Sequence, residues 1–491
     1  MKALTTVRQF PLTKVAGAVL ALLLAGCAQI PADTSRAAVP DFGRAEHPAA
    51  IELARDAWPA EAWWREYNDP QLDELVAKAL HDSPTLAVVQ ARVTTARAAL
   101  YAEQAAGGAQ LGLDVGANRQ RYSANGFFPA PLGGNFYNDL SVQVKASYDF
   151  DWWGKRRALV AAALGEANAR QAEASQAAQT LAAAVAQSYF RLQMLWARQD
   201  NTNALIQAQR DLIKDRKARV EHGLATIDEQ RSAELELGTL EETGERYATQ
   251  AAREREALRA LVAADGEALS GLARRAPNAA VAALPRQLGI ELLARRPDLQ
   301  AARWRVEAAL GRVKARQAAF YPDLNLVGAI GLDSISMSKL LLYGSRTMLA
   351  GAALELPLFD SGRLAAGLGV ARAERDQIIA DYNDSVINAV RDVAQEGVTL
   401  QGIEQQQRAH LQARQASGQL AANAEARFKR GLADRGAMLQ ARLGVLRQQD
   451  VDVQLLDAQL QTQVALVKAL GGGYRATPTQ VAAVPASSQQ H

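Results

Sequence analysis

The sequence predicts a mainly α chain that also carries membrane β-strands: long coiled-coil helices, two strand hairpins, and an internal two-fold repeat. Three observations predict it. Leu140, Val142, Val144, Ala146, Tyr148 and Phe150 alternate without a slip with Ser141, Gln143, Lys145, Ser147, Asp149 and Asp151, the period of a strand with one apolar and one polar face. From about Lys155 to Val220 there is no proline, and Leu181, Val185, Ser188, Leu192 and Leu195 step by four and three, a coiled-coil spacing. ARVEHGLA at Ala218–Ala225 returns as ARFKRGLA at Ala426–Ala433, at an offset of 208 shared by Gly154-Lys155 and Gly362-Arg363, so the plan is written twice.

The bulk numbers narrow the field. A chain of 491 residues, 49% apolar and 22% charged, is that of a folded protein with room for several domains. Its net charge of +3 is local, because Lys2, Arg8 and Lys14 are the only charges before residue 27 and leave the remainder neutral. That removes the compositional case for a nucleic-acid partner.

Residues 1–26 read as a lipoprotein signal peptide. A basic start precedes the apolar run VAGAVLALLLAG, too short to span a bilayer as a mature helix. Leu24-Ala25-Gly26-Cys27 resembles a bacterial lipobox, in which the cysteine thiol takes a diacylglycerol and the new N-terminus an N-acyl chain. These covalent lipids at Cys27 are the only non-protein groups expected; no cofactor is. That resemblance implies that Ala28, a residue other than Asp, permits transport to the outer membrane. Cys27 is the only cysteine, so an acylated monomer has no disulfide and must hold by packing. A lipid-anchored linker, 27–70, follows, and no other segment is long and apolar enough for a transmembrane helix.

The first repeat is expected over 71–280 and the second over 281–470, each a helix, a strand hairpin and long helices. SPTLAVVQARV at Ser83–Val93 matches RPDLQAARWRV at Arg296–Val306 at an offset of 213, and the five-residue change falls where the strands lie. PNAAVAALPRQLG at Pro277–Gly289 joins the halves. The hairpins are placed at about 110–151, around a loop rich in Gly, Pro and aromatics, and about 324–359. The long helices cover 155–272 and 363–470, and 471–491 reads as a disordered tail. Strands of about 10 to 12 residues are close to the length that crosses a bilayer when tilted. Four strands cannot close a barrel, and an open edge in lipid leaves backbone groups unpaired. Three chains would supply twelve strands in one shared barrel. A helix of about 65 residues is a rod near 100 Å long, and Gly-Leu at 223–224 and 431–432 marks where each rod turns back.

No catalytic constellation is legible, and the chain is not read as an enzyme. His47, His81, His222, His410 and His491 are scattered with no HExxH pattern, so no metal site is expected. The GGG at 471–473 lacks the strand-to-helix context and lysine of a phosphate loop and reads as a helix end. Trp58, Trp63 and Trp64 have two open readings, packing of the N-terminal segment or interfacial anchoring.

WPAEAWWREYNDPQLDELVAKAL (Trp58–Leu80), ELLARRPDLQAARWRVEAALGRVKARQAAFYP (Glu291–Pro322), LPLFDSGR (Leu356–Arg363) and ALGGGY (Ala469–Tyr474) together resemble the TolC-like outer-membrane factors, specifically the NodT group of efflux lipoproteins. NRQRYSANGFF and GLDSI resemble most the outer-membrane components of fusaric-acid and aromatic-acid exporters. The resemblance covers essentially the whole mature chain. It implies a homotrimer with a twelve-stranded outer-membrane β-barrel continued by a periplasmic α-helical tunnel. It also implies a tripartite pump, in which a periplasmic membrane-fusion adaptor and an inner-membrane efflux transporter pass small molecules, drugs or aromatic acids, to a passive conduit. The alternatives are the outer-membrane part of a type I protein secretion system and a non-conducting coiled-coil envelope lipoprotein; paired hairpins in both halves argue against the second.

In that family the periplasmic entrance lies by the helical turns, here HGLATIDE and RGLADRG. Arg219, Gly223, Leu224, Arg427, Gly431 and Leu432 are carried over by motif as adaptor-contact candidates, beside the reading that each glycine merely permits the turn. TolC itself closes its entrance with aspartate rings and a Tyr–Arg network. This sequence departs from that pattern, with Glu229 in the first half but Ala437 and Gln440 in the second. Asp228, Glu229, Asp434 and Arg435 are therefore the entrance-gate candidates, since threefold symmetry would turn each charge into a ring. Solvated turn charges remain the other reading.

Overall fold

The computed structural model describes residues 30–35, 37–38, 57–265, 269–279, 285 and 289–475, with backbone alone over 289–291. Cys27 and the signal peptide lie outside the described residues. Contacts divide the chain into two compact units, one made of 1–38, 94–167 and 304–381, the other of 39–93, 168–303 and 382–491. Each draws on both repeats, so the halves 71–280 and 281–470 do not fold as separate bodies. The reason lies in the sheet, where a strand of the first half pairs with a strand of the second.

The first unit holds that sheet. Strands β1 (Gln110–Arg121), β2 (Phe136–Phe150), β3 (Asp323–Ser334) and β4 (Arg346–Glu355) lie in the order 1-2-3-4, all antiparallel. β2 begins at Phe136 rather than Leu140, because Phe136–Asp139 pair with Asn118–Arg121 and extend the ladder. β4 ends at Glu355, before Pro357, which has no N–H to continue it. Helices feed and leave these strands: α1 (Pro70–Asp82) and α2 (Pro84–Ala106) precede β1, and α3 (Lys155–Glu221) follows β2. The exit from β2 is capped by Asp151, whose two carboxylate oxygens accept from the Arg156 and Arg157 N–H groups, both at 2.9 Å. Gly154 and Gly362, at φ +75 and +83, make the bend before each long helix.

In the second unit α3 runs on, followed by α4 (Ile227–Leu261), α5 (Gly289–Arg295) and α6 (Pro297–Ala318); α7 (Arg363–Lys429) and α8 (Arg435–Ala469) complete the chain. α6 and the start of α7 contribute to the first unit. Small residues allow close helix packing there: a Cβ on Gly311 would stand 2.9 Å from the Ala158 carbonyl, and one on Gly165 would stand 2.9 Å from that of Trp304. The helical region expected over 155–272, with its turn at 223–224, ends at Leu261.

The second unit has its own core, in which Tyr189 and Phe190 of α3 meet Trp63, Tyr67, Leu72 and Leu258. Trp63 is buried there, edge-on to Trp64 and Tyr67, which places it as a packing residue. The expected tail from 471 is corrected at its start. Gly471, Gly472 and Gly473 are buried at positive φ, and a Cβ at each would come within about 2 Å of Arg295 O, Gln179 Oε1 and Ala60 O respectively. Only glycine fits where those segments converge. Residues 476–491 lie outside the described residues.

Candidate functional site

The sheet's register assigns every strand residue to one of two faces, since residues directly opposite in an antiparallel pair share a face. Leu111, Leu113 and Val115 stand opposite Ala146, Val144 and Val142, which stand opposite Gly328, Ile330 and Leu332. Ile330 and Gly328 then meet Met348 and Ala350, and Leu326 and Leu324 meet Ala352 and Leu354. Away from one end, where it carries Arg119, Asn138, Ser334 and Arg346, this face is apolar across all four strands, and its large side chains are exposed, Leu111 at 76% and Met348 at 83%. So large an exposed apolar surface needs a non-aqueous neighbour.

The other face is uneven. On β1 and β2 it carries Gln110, Asp114, Asn118, Ser141, Gln143, Lys145 and Ser147, with a cross-strand ion pair from Lys145 Nζ to Asp114 at 3.2 Å. On β3 and β4 the middle of the same face is Val327, Ala329, Gly331, Leu349, Gly351 and Ala353, with polar residues only towards the ends. The polar face that the alternation over Leu140–Asp151 predicts is thus continued on β1 and not across the middle of the second hairpin. Among the described residues β1 and β4 are the two outer strands of the sheet, each paired on one side only.

The second element is the pair of helical turns. α3 ends with the Gly223 N–H on the Val220 carbonyl and the Leu224 N–H on the Arg219 carbonyl, at 2.9 and 2.7 Å. α7 ends in the same way, with Gly431 on Phe428 and Leu432 on Arg427 at 2.9 and 2.8 Å. Gly223 and Gly431 sit at φ +70 and +72, the left-handed helix end that glycine serves. Thr226 caps α4 by accepting from the Glu229 N–H at 3.4 Å, and Asp434 caps α8 by accepting from the Ala437 N–H at 2.7 Å.

The structure brings several of the sequence candidates together and separates others. Arg219 donates to Asp434, an adaptor candidate paired with a gate candidate, and also reaches the Leu224 carbonyl at 3.4 Å. Glu229 accepts from Arg216. The Ala437 N–H, and next the Arg219 guanidinium, hold the Asp434 carboxyl below its usual range. Leu224 and Leu432 are exposed, at 69% and 71%. Asp228, Arg427 and Arg435 are exposed and have no ion pair among the described residues. Arg216 escaped the sequence reading, because nothing in the spacing of 13 residues between Arg216 and Glu229 shows that a reversal in the chain brings them together. Beneath the turns, Leu205, Ala208 and Leu212 of α3 pack on Leu439 and Leu443 of α8. Among the described residues no group of three or more His, Cys, Asp and Glu is placed to hold a metal ion, and no helix is long and apolar enough to cross a membrane.

A four-stranded panel with a broad apolar face and two outer strands, in a chain of 67-residue helices, fits an outer-membrane channel protein. Residues 75–264 and 288–472 match the Outer membrane efflux protein family, and the chain belongs to it. It is similar to the multidrug resistance outer membrane protein MdtP of Escherichia coli K12, at 36% identity over 473 residues, covering 93% of this chain and 95% of that protein. It is also similar to MdtQ of Escherichia coli O157:H7, at 33% identity over 469 residues, covering 93% and 97%. Among solved structures, VceC of Vibrio cholerae matches with a TM-score of 0.77 and 30% identity over 85% of this chain and all of that one. CmeC of Campylobacter jejuni matches in fold, with a TM-score of 0.79 at 19% identity, covering 91% and 95%. The TolC-like expectation stands: the protein is the outer-membrane channel component of an efflux system with a periplasmic helical region.

Proposed function

We propose that three copies of this chain close their panels into one twelve-stranded barrel, a passive conduit exporting small molecules received from a periplasmic membrane-fusion adaptor and an inner-membrane efflux transporter. The observation that carries the reading is the panel itself. Its apolar face suits lipid, and its outer strands β1 and β4 need partners that only another chain can supply in a bilayer. The multidrug names of the MdtP and MdtQ relatives favour drugs or related aromatic molecules as cargo. Acylation of Cys27 with a diacylglycerol and an N-acyl chain anchors each chain to outer-membrane lipid.

The turns form the entrance. Pairs Arg219–Asp434 and Arg216–Glu229 tie the reversals of one chain to each other and to α3 and act as its latch. Asp228 and Arg435 stand free to form charge rings or meet neighbours. Arg427, Gly431 and Leu432, with Gly223 and Leu224, present the surface for adaptor hairpins; Arg219 serves the latch. Single-channel conductance of the purified, acylated protein in a planar bilayer tests the conduit. Discrete steps are expected, and continued silence from an inserted protein with both turns excised would overturn it.

A further inference from the structure

Where helices join the sheet in the first unit, α3, α6 and α7 border a cavity of about 300 Å³. Its walls are of two kinds. Leu159 of α3, Ala315 of α6, Ala319 just past it and Val370 of α7 are apolar, and Val370 is 59% exposed. Arg312 and Arg316, one turn apart on α6, line the same cavity with Lys155 and Glu374. Lys155 is bonded to Asp323 at 3.1 Å. Arg312 is half-buried and Arg316 exposed, and neither they nor Glu374 have an ion pair among the described residues.

Lys155 and Leu159 also line a neighbouring cavity, together with Asp149, Asp323 and Asn325. Asp149 stands opposite Asn325, and Asp323 lies two residues before Asn325 on β3, so all three belong to the face of the sheet that is not the broad apolar one. The carboxylates there are already answered, Asp149 by Arg156 at 2.6 Å, Asp151 by Arg157 at 3.3 Å and Asp323 by Lys155. Unanswered positive charge therefore collects on Arg312 and Arg316, against Glu374 alone, on the side of the sheet turned away from lipid. This placement rests on the proposed conduit, in which that side is the lumen and threefold symmetry repeats the cavity around it.

We propose that the cavity is a way-station for organic anions, with Arg312 and Arg316 holding a carboxylate and the wall of Leu159, Ala315, Ala319 and Val370 taking its apolar body. Like charges one helical turn apart repel, and an anion between them removes that repulsion. Guanidinium forks match the two oxygens of a carboxylate. The volume is at the small end for ligand sites, which suits a single-ring acid. Conduction requires a site favourable enough to enter and weak enough to leave, so the hold is brief and biases the conduit towards such anions.

Saturation-transfer NMR of sodium benzoate with the purified full chain in deuterated detergent tests the site, read beside single-channel current in planar bilayers. Benzoate should bind saturably, and acetate, which lacks the body, and benzamide, which lacks the charge, should bind more weakly. Arg312→Ala with Arg316→Ala should weaken benzoate about tenfold or more. Lys314→Ala, which removes a cation of the same helix that does not line the cavity, should not. Val370→Trp fills the cavity from an exposed position and keeps both arginines; it should abolish benzoate binding and leave the preference of the channel for chloride over potassium unchanged. Equal weakening by Lys314→Ala, or benzoate bound as well by Val370→Trp, reduces the arginines to general positive charge and overturns the site. Absence of saturable benzoate binding in the wild type also overturns it. Benzoate bound by a chain that conducts nothing supports the site and overturns the conduit, whereas conduction without benzoate binding does the reverse.

Discussion

The reversal between α3 and α4 and the one between α7 and α8 have the same backbone and different charges. α3 and α7 have 67 residues each, α4 and α8 have 35 each, and the glycines at the helix ends agree within 2° in φ. Yet Thr226 corresponds to Asp434, Ile227 to Arg435 and Glu229 to Ala437 at the shared offset of 208. Arg219 and Arg427 are also equivalent, but Arg219 is bonded to Asp434 while Arg427 is exposed with no ion pair among the described residues. The geometry is pinned because left-handed backbone tolerates few residues. Charges at an exposed turn cost little to change, so the repeat diverges there, and an asymmetric set of ion pairs, the proposed latch, arises from a symmetric frame.

That asymmetry makes predictions that differ between equivalent positions. The largest effect is expected from Asp434→Ala together with Glu229→Ala, which removes both latch carboxylates; single-channel recording should show a several-fold rise in conductance or open time. Arg427→Ala, equivalent to the latch residue Arg219, should leave conductance alone and weaken adaptor binding in a pull-down with the periplasmic partner. Arg427→Ala opening the channel as Arg219→Ala does would erase the distinction.

The backbone half of the comparison predicts equality. Gly223→Ala and Gly431→Ala each place a side chain in left-handed backbone and should each cost about 1–2 kcal/mol of local stability, seen as matching increases in amide exchange at the two helix ends. Unequal losses would mean that one turn is supported by contacts beyond its own chain. A smaller difference is expected at the caps. Thr226→Ala and Asp434→Ala each remove a cap worth about 1 kcal/mol, but the second also removes an exposed ion pair, adding about 0.5 kcal/mol. Exchange of the Ala437 amide should therefore accelerate more than that of Glu229.

Much of this frame was legible in the sequence, because it is periodic. Strict alternation over Leu140–Asp151 located β2, and Gly154, Gly223, Gly362 and Gly431 located the helix ends almost to the residue. What stayed hidden depends on residues far apart. The small apolar middle of the second hairpin's inner face emerges only once register sets Ala329 opposite Leu349 and Val327 opposite Gly351. The close packing of Gly471–Gly473 on Arg295, Gln179 and Ala60 joins segments hundreds of residues apart. Arg375–Asp33 spans 342 residues, and no local pattern marks either partner. Of the turn charges, their positions were legible and their pairing was not, since a helix reversal brings Arg216 and Glu229 together only in space.

The smallest expected effect concerns pH, and it separates the latch from a titrating gate. The Asp434 carboxyl is held below its usual range by the Ala437 N–H and then by Arg219. A group with a depressed folded pKa contributes stability that is fully present above its unfolded value, about 4 for Asp, and is lost only as pH falls through the lower folded value. The Arg219–Asp434 half of the latch should therefore hold unchanged from about pH 8 down to about pH 5. Conductance recorded across that range in the wild type and in Asp434→Asn checks it: the variant should differ from the wild type by the same factor at every pH. A difference that vanishes within that window would mean that Asp434 is already protonated there, and would remove it from the latch.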